Sequence, residues 1–384
     1  MRYPARMHPL FPRTRIASLA LTALATSFAY GVGACSTQGP NIHNTEDAGS
    51  HVDATVEGGP CNAVGGGFPG PQCTTDSVPP LCPNAGQCVI NEAQCGSKST
   101  CMPLADNAAK TKLDFRIRRL NVITPDALAS GFIQNVVVDH GITLNAHQCG
   151  EYGDGAFNWL VRIDKTTGMI TTGGAPPSTD PFGLGYCFVS TTASGSGIHV
   201  TSVTAKGTLA GNTFSTDPVD KLNVPIFVNG DANQLIILPL SNLSLKNVTY
   251  SADGNCIGAF NYPALDKDCA DSRSDCARWH TDGALGGFIT LEEADAVPIP
   301  QLGNKSLCVM LTKSTPGPDN LHCKRDANSK IAFQGDYCST TKAPGGCVDS
   351  YWLAATFAAS AVKINDVSAD PLCNGARSGD AGTD

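Results

Sequence analysis

The sequence predicts a mainly β protein: a large, disulfide-rich antiparallel β-sandwich preceded by a small cysteine-rich module. Three observations carry this. Short runs of β-branched and aromatic residues, bounded by Gly, Pro, Asn and Asp, recur from Leu113 to about Ile364. No long amphipathic helix interrupts them, which disfavours a βαβ arrangement. The chain of 384 residues holds 17 cysteines, and only one of them precedes residue 61.

The first forty residues fix the cellular address. Arg2, Arg6, Arg13 and Arg15 precede an apolar run from Ile16 to Ala34, with no acid among them, and Gly33 and Ala34 lead into Cys35. Basic start, apolar middle and small-residue end are the parts of a signal peptide over residues 1–34. The run is interrupted by Ser18, Thr22, Thr26, Ser27 and Gly31, too polar for the roughly 20 apolar residues of a membrane span. Val32-Gly33-Ala34-Cys35 resembles the lipobox of bacterial lipoproteins. That resemblance implies cleavage before Cys35, lipidation of its thiol and, with Ser36 following, transfer to the outer membrane. Parity agrees: a lipid on Cys35 leaves sixteen cysteines, enough for eight disulfides.

Residues 35–60 are acidic and poor in large apolar side chains, the composition of a flexible tether. Six cysteines then crowd residues 61–101 (Cys61, Cys73, Cys82, Cys88, Cys95 and Cys101) without a C-x-x-C pair or a histidine. A structural zinc site is thereby disfavoured, and disulfides are the expected staples of so small a module.

The β-sandwich domain is expected over 113–365. Its candidate strands are 113–124, 132–139, 157–164, 169–172, 186–191, 198–210, 224–229, 234–240, 243–251, 287–290, 306–313, 330–335 and 351–364. Within FNWLVRID, Trp159, Val161 and Ile163 alternate with Leu160, Arg162 and Asp164, and Lys165-Thr-Thr-Gly168 supplies a hairpin turn. The alanines of 353–361 also favour helix. One short helix is expected over 290–297, where Thr290 and Glu293 have capping-box spacing and Pro298 stops the helix. Cys149 and Cys187, each beside a strand, are the expected disulfide pair. The tail 374–384 reads as disordered.

Removal of residues 1–34 takes the formal charge from −8 to −12. A surface so acidic argues against nucleic acid as a partner. The literal G-x-G-x-x-G at Gly65, Gly67 and Gly70 contains Pro69 and lies between Cys61 and Cys73, a loop rather than a dinucleotide site. G-x-S-x-G, H-E-x-x-H and G-K-S/T are absent from the sequence.

Three constellations remain. Trp279 stands in a turn-rich stretch with Arg278, His280 and Asp282, the residue types that stack on a sugar or grip a peptide. Asp266, Asp268, Asp271 and Asp275 have a loop spacing that suits calcium, the candidate cofactor. Asp139, His140, His147, Glu151 and Asp154 crowd one loop, the material of a metal or acid–base site. The expected function is a lipid-anchored cell-envelope protein without catalysis, held to the membrane by its N-terminal lipid and contacting a glycan or an envelope protein. A surface hydrolase using Asp139, His140 and His147, or a calcium-dependent glycan binder, is the alternative. The cysteine-rich head, FNWLVRID, and ITLEEADAV before SLCVML together are similar to uncharacterised surface lipoproteins of bacteria, a resemblance that implies no activity.

Overall fold

A computed structural model describes residues 100–130, 133–146, 151–193, 197–227, 235–261 and 278–373. Cys35, the tether, the cysteines from Cys61 to Cys95, His147, Cys149, the aspartates 266, 268, 271 and 275, and the tail lie outside the described residues.

The fold is mainly β and antiparallel. Its principal strands are β1 (Lys112–Thr124), β2 (Asn158–Asp164), β3 (Met169–Ala175), β4 (Val203–Ala210), β5 (Thr213–Thr216), β6 (Val219–Phe227), β7 (Leu235–Lys246), β8 (Val248–Thr249), β9 (Gly283–Thr290) and β10 (Ser350–Ala361). They pair in the order β6-β7-β9-β10-β1-β2-β3-β4-β5-β8. The two ends of this path are the same two stretches of chain. β5 runs into β6, and β7 runs into β8. One register serves both halves, since Phe227 faces Leu235, Val219 faces Leu243 and Phe214 faces Val248. Where strand pairing lapses between them, side chains replace it: Leu245 N–H donates to Thr216 Oγ1 at 2.9 Å and Asn247 N–H to Ser215 Oγ at 3.0 Å. The expected disulfide-rich antiparallel β domain is present, and its strand pairing traces one large curled sheet. Among the described residues the sheet curls until the stretches 213–227 and 235–249 pair with each other at both of its ends.

Strand periodicity explains the interior. Leu113, Phe115 and Ile117 of β1, Trp159, Val161 and Ile163 of β2, and Leu353, Ala355, Phe357 and Ala359 of β10 belong to one buried cluster inside the curl. The turn read at Lys165–Gly168 joins β2 to β3, with Asp164 facing Met169 and Gly168 at φ +70°. β10 is strand, not helix, and buried almost throughout. Its alanines let further layers lie close on the outer side, where Trp352 and Ala354 meet Phe288 and Tyr337, and Ala358 meets Cys101, Phe260 and Trp279.

Two expected strands are helical. Residues 133–139 form a wide helical turn, and Gln134 there caps the edge of β1, accepting from Val122 N–H at 3.0 Å and donating to Leu120 O at 2.8 Å. Leu307–Thr312 is a helix, capped by Ser306, whose Oγ accepts from Val309 N–H. Short apolar runs do not distinguish a buried helix from a strand. The segment 330–335 contributes an isolated bridge, Ile331 to Arg325, and no strand. Thr290 caps the helix Leu291–Asp295, its Oγ1 accepting from Glu293 N–H at 3.2 Å and donating to Glu293 Oε2 at 2.8 Å.

All eight described cysteines are paired: Cys101–Cys256, Cys187–Cys373, Cys308–Cys323 and Cys338–Cys347. Cys187 thus joins Cys373, not Cys149. An isolated parallel bridge pairs Tyr186 with Ile364, and this contact, invisible to sequence spacing, accompanies the joining of two sulfurs 186 residues apart. Cys101 and Cys373 also extend the covalent frame of the β-domain beyond 113–365.

Candidate binding cleft over the arginine layer

β1 carries an unusual outer face. Opposite its apolar row stand Arg116 and Arg118, both buried. A bulge in the pairing with β10 falls at Arg118 and re-phases the strand, so that Leu120 returns to the core. Arg116 donates to Asn158 Oδ1 and to Ile142 O, each at 2.6 Å. No carboxylate among the described residues pairs with it. Arg118 donates to Met102 O at 3.1 Å and forms an ion pair with Glu151 at 2.6 Å, both side chains at most 4 % exposed. Burial pulls the Arg116 guanidinium down from its ordinary value, yet an arginine retains its charge in a protein. The layer thus holds two cations and one anion.

Three segments cover these arginines. The first is the loop from Gly141 to Asp154, folded back so that Gly153 N–H donates to Leu144 O at 3.0 Å. A Cβ at Gly153 would lie 2.0 Å from Thr143 O, so only glycine permits the approach that seats Glu151 on Arg118. The second is Tyr186, whose ring lies 5.6 Å from Arg116 Cζ. The third is Trp279, in a two-residue strand paired with Ala259–Phe260, its ring 5.4 Å from Arg118 Cζ and 5.0 Å from Phe260.

Trp279 is therefore no surface platform. It is 4 % exposed and belongs to the cluster around the Cys101–Cys256 bridge, a correction to the expectation that it stacks on a ligand. Arg278 is buried beside Phe260. His280 is half-buried, and loss of solvent lowers its pKa against the opposing charge of Asp282.

Beside the arginine layer opens a cleft of about 430 Å³, lined among others by Asp154, Asn158, Pro177, Asp180, Phe182 and Tyr186, within the roughly 300–1,000 Å³ usual for small-ligand sites. Tyr186 is 3 % exposed and its hydroxyl has no hydrogen-bond partner among the described residues. Burial raises its pKa, opposed by the charges of Arg116 and Arg118, so the phenol keeps its proton at neutral pH. Glu151 Oε2 and Arg118 Nε are likewise buried and unpartnered. Buried polar atoms are nearly always satisfied, so such a cluster calls for an explanation. Sequence reasoning missed Arg116, Arg118, Asn158 and Tyr186. The available signal was the arginine pair at alternate positions of LDFRIRRL, which reads as a solvent face until a second layer covers it.

The loop constellation does not assemble as a catalytic set among its described members. Asp139 is held by Arg119 at 2.6 Å and by Gln134. Glu151 is committed to Arg118. His140 Nε2 stands 3.9 Å from Asp154 Oδ2, both partly exposed.

A second cleft of about 400 Å³, unforeseen from sequence, contains Ile198, Ile237, Val297, Asp295, Ser306 and His322 in its wall. His322 Nδ1 lies 2.5 Å from Asp319 Oδ2, and Asp319 sits well below the usual carboxylate range because the Leu321 N–H, then the His322 ring, bond to it. The serine, however, gives its proton elsewhere. Ser306 Oγ donates to Asp295 Oδ1 at 2.8 Å, and Asp295 also receives Cys323 N–H and Arg325 Nη2. A serine nucleophile needs its proton taken by the histidine.

Compared with known protein families, with curated proteins and with solved structures, the chain matches none.

Proposed function

We propose that the protein is exported, fixed to the cell envelope by lipid on Cys35, and serves as a binding protein rather than an enzyme, with its ligand taken in the cleft over the arginine layer. The observation that carries this reading is the pairing of every described cysteine, since disulfides persist in oxidising compartments and are rare in reducing cytosol. Two further facts support it. No helix among the described residues is long and apolar enough to cross a membrane, which is consistent with attachment through lipid. The carboxylates Asp139 and Glu151 are each spent on an arginine.

Intact mass and non-reducing peptide mapping of detergent-extracted native protein test it. The expected result is an acylated Cys35 at the mature N-terminus, with the remaining sixteen cysteines oxidised, and Cys35→Ser protein released into the soluble fraction. Native protein that is soluble without detergent, with Cys35 unmodified or free thiols elsewhere, would overturn it. The Asp319–His322 pair favours a second reading, a hydrolase using His322 as base on water. Turnover of p-nitrophenyl esters that is lost in His322→Ala would establish that reading in place of the first.

A further inference from the structure

We propose that the cleft over Tyr186 binds one ring of a neutral sugar, with a ring hydroxyl hydrogen-bonded to the Tyr186 phenol. The inference deepens the binding role proposed above and rests on it. It begins from atoms, not from the shape of the cleft. Tyr186 lines the cleft, and its hydroxyl, though buried, bonds to nothing among the described residues. Its phenol lies within reach of the charges of Arg116, Arg118 and Glu151, and two of those three residues carry unpartnered buried atoms themselves. Of these residues Tyr186 alone lines the cleft, and its Oη–H is a donor without an acceptor among the described residues. A hydroxyl group offers the acceptor it lacks.

The rim sets the charge of the ligand. Asp154 and Asp180 each commit Oδ1 to a backbone N–H, of Ala156 at 3.0 Å and Gly183 at 2.8 Å. Both residues line the cleft, and their second oxygens are the acceptors this reading assigns to ligand hydroxyls, that of Asp154 with the imidazole of His140 at 3.9 Å. An anion entering the cleft would meet both carboxylates. A cation would approach two buried guanidiniums that share a single carboxylate. A neutral polyhydroxyl compound meets neither penalty. Phe182 with Pro177 and Pro181 in the same wall gives the C–H face of a pyranose an apolar surface, the aromatic and proline counterpart to the carboxylates that take its hydroxyls.

The test is calorimetry, with saturation-transfer NMR, on full-length detergent-extracted protein. The neutral probes are glucose, galactose, mannose and N-acetylglucosamine with their β-linked disaccharides; glucuronate is the anionic probe and glucosamine the cationic one. Saturable binding of at least one neutral sugar is expected, weakened about tenfold in Tyr186→Phe and in Asp180→Asn. Tyr186→Phe removes an atom that has no partner among the described residues, and unchanged circular dichroism and disulfide mapping of each variant separate lost contact from lost structure. The proposal falls if no neutral sugar binds, which would leave the site occupied by water only. It falls equally if Tyr186→Phe binds as well as wild type, or if glucuronate or glucosamine binds more tightly than the neutral sugars. Acylation and cysteine oxidation, read by mass on the same sample, do not depend on sugar, so failure of this inference is distinguishable from failure of the anchored reading.

Discussion

The two clefts use polar groups in opposite ways. Around Asp295 every carboxylate oxygen has a donor: Ser306 and Cys323 on Oδ1, Arg325 on Oδ2. The bridge there, Cys308–Cys323, closes only 15 residues, and Cys338–Cys347, elsewhere in the fold, closes 9. Around Arg118 three buried atoms lack partners among the described residues, and the bridges that hold the covering segments, Cys101–Cys256 and Cys187–Cys373, span 155 and 186 residues. A satisfied network stabilises and is finished by folding. An unsatisfied one costs stability, and the fold tolerates it where long-range bridges constrain the unfolded chain most. The difference teaches where to look for a ligand: at the costly layer, not at the pair of residues that resembles a catalytic dyad.

The bridges give the sharpest way to break this contrast. In the chain-entropy account a bridge contributes more as its loop lengthens. Replacing Cys101 and Cys256 together by serine is expected to destabilise by about 5 kcal/mol, against about 3 kcal/mol for Cys338 and Cys347 together. Denaturant unfolding of the two double variants measures both, and equal losses would show that the long bridges are not what supports the arginine layer.

Next in size is the buried ion pair. Glu151→Gln keeps the shape and removes the one carboxylate that pairs with Arg118 among the described residues, leaving two guanidiniums on one strand face. Breaking a buried pair in this way costs about 4 kcal/mol. The exposed pair Lys221–Glu293, with side chains 51 % and 28 % accessible, is the control: Lys221→Met is expected to change stability by less than about 1 kcal/mol. A Glu151→Gln loss no larger than that of the control would mean that the layer admits water freely.

What was legible in the sequence follows the same division. FNWLVRID was read correctly because alternation, turn and burial all act within one hairpin, and the Thr290 cap because it acts within one helical turn. The β content and the use of cysteine were likewise readable from composition. The closure of the sheet was not, since it depends on β5 and β6 being one strand bent at Asp217-Pro218, a property of pairing rather than of pattern. The partner of Cys187 and the burial of Arg116 and Trp279 were hidden for the same reason: each is decided by a segment more than forty residues away that covers it. Ile133–Asp139 read as strand because valine and isoleucine favour one, but the side chain of Gln134 completes the β1 edge in place of a paired backbone.

A mirrored pair of small substitutions sharpens the contrast further. Ser306→Ala removes a helix cap and the donor to Asp295, for an expected loss of about 1–2 kcal/mol. Tyr186→Phe removes a hydroxyl with no partner among the described residues, and the ligand-free protein is expected to be unchanged or more stable by up to about 1 kcal/mol. Thermal unfolding of both variants without added sugar checks the signs. A clear loss in Tyr186→Phe would mean that the phenol already serves the fold.

The smallest expected effect is a pH slope at the edge of the arginine layer. His280 is half-buried, and removal from solvent lowers its pKa below the ordinary 6.5, the charge of Asp282 opposing this. In the unfolded chain the imidazole takes up a proton as pH falls through about 6.5, whereas in the fold it resists until lower pH, so the unfolded state binds more protons across that window. Stability therefore falls as pH drops from 7 towards 5, and is regained as pH rises again through the unfolded value. His280→Gln removes the titration while keeping a polar side chain beside Trp279. The slope of unfolding free energy between pH 5 and 7 is expected to flatten in that variant relative to wild type, with little change at pH 8. Parallel slopes would show that His280 meets water as freely in the fold as in the unfolded chain, and that the cover over Arg118 ends before it.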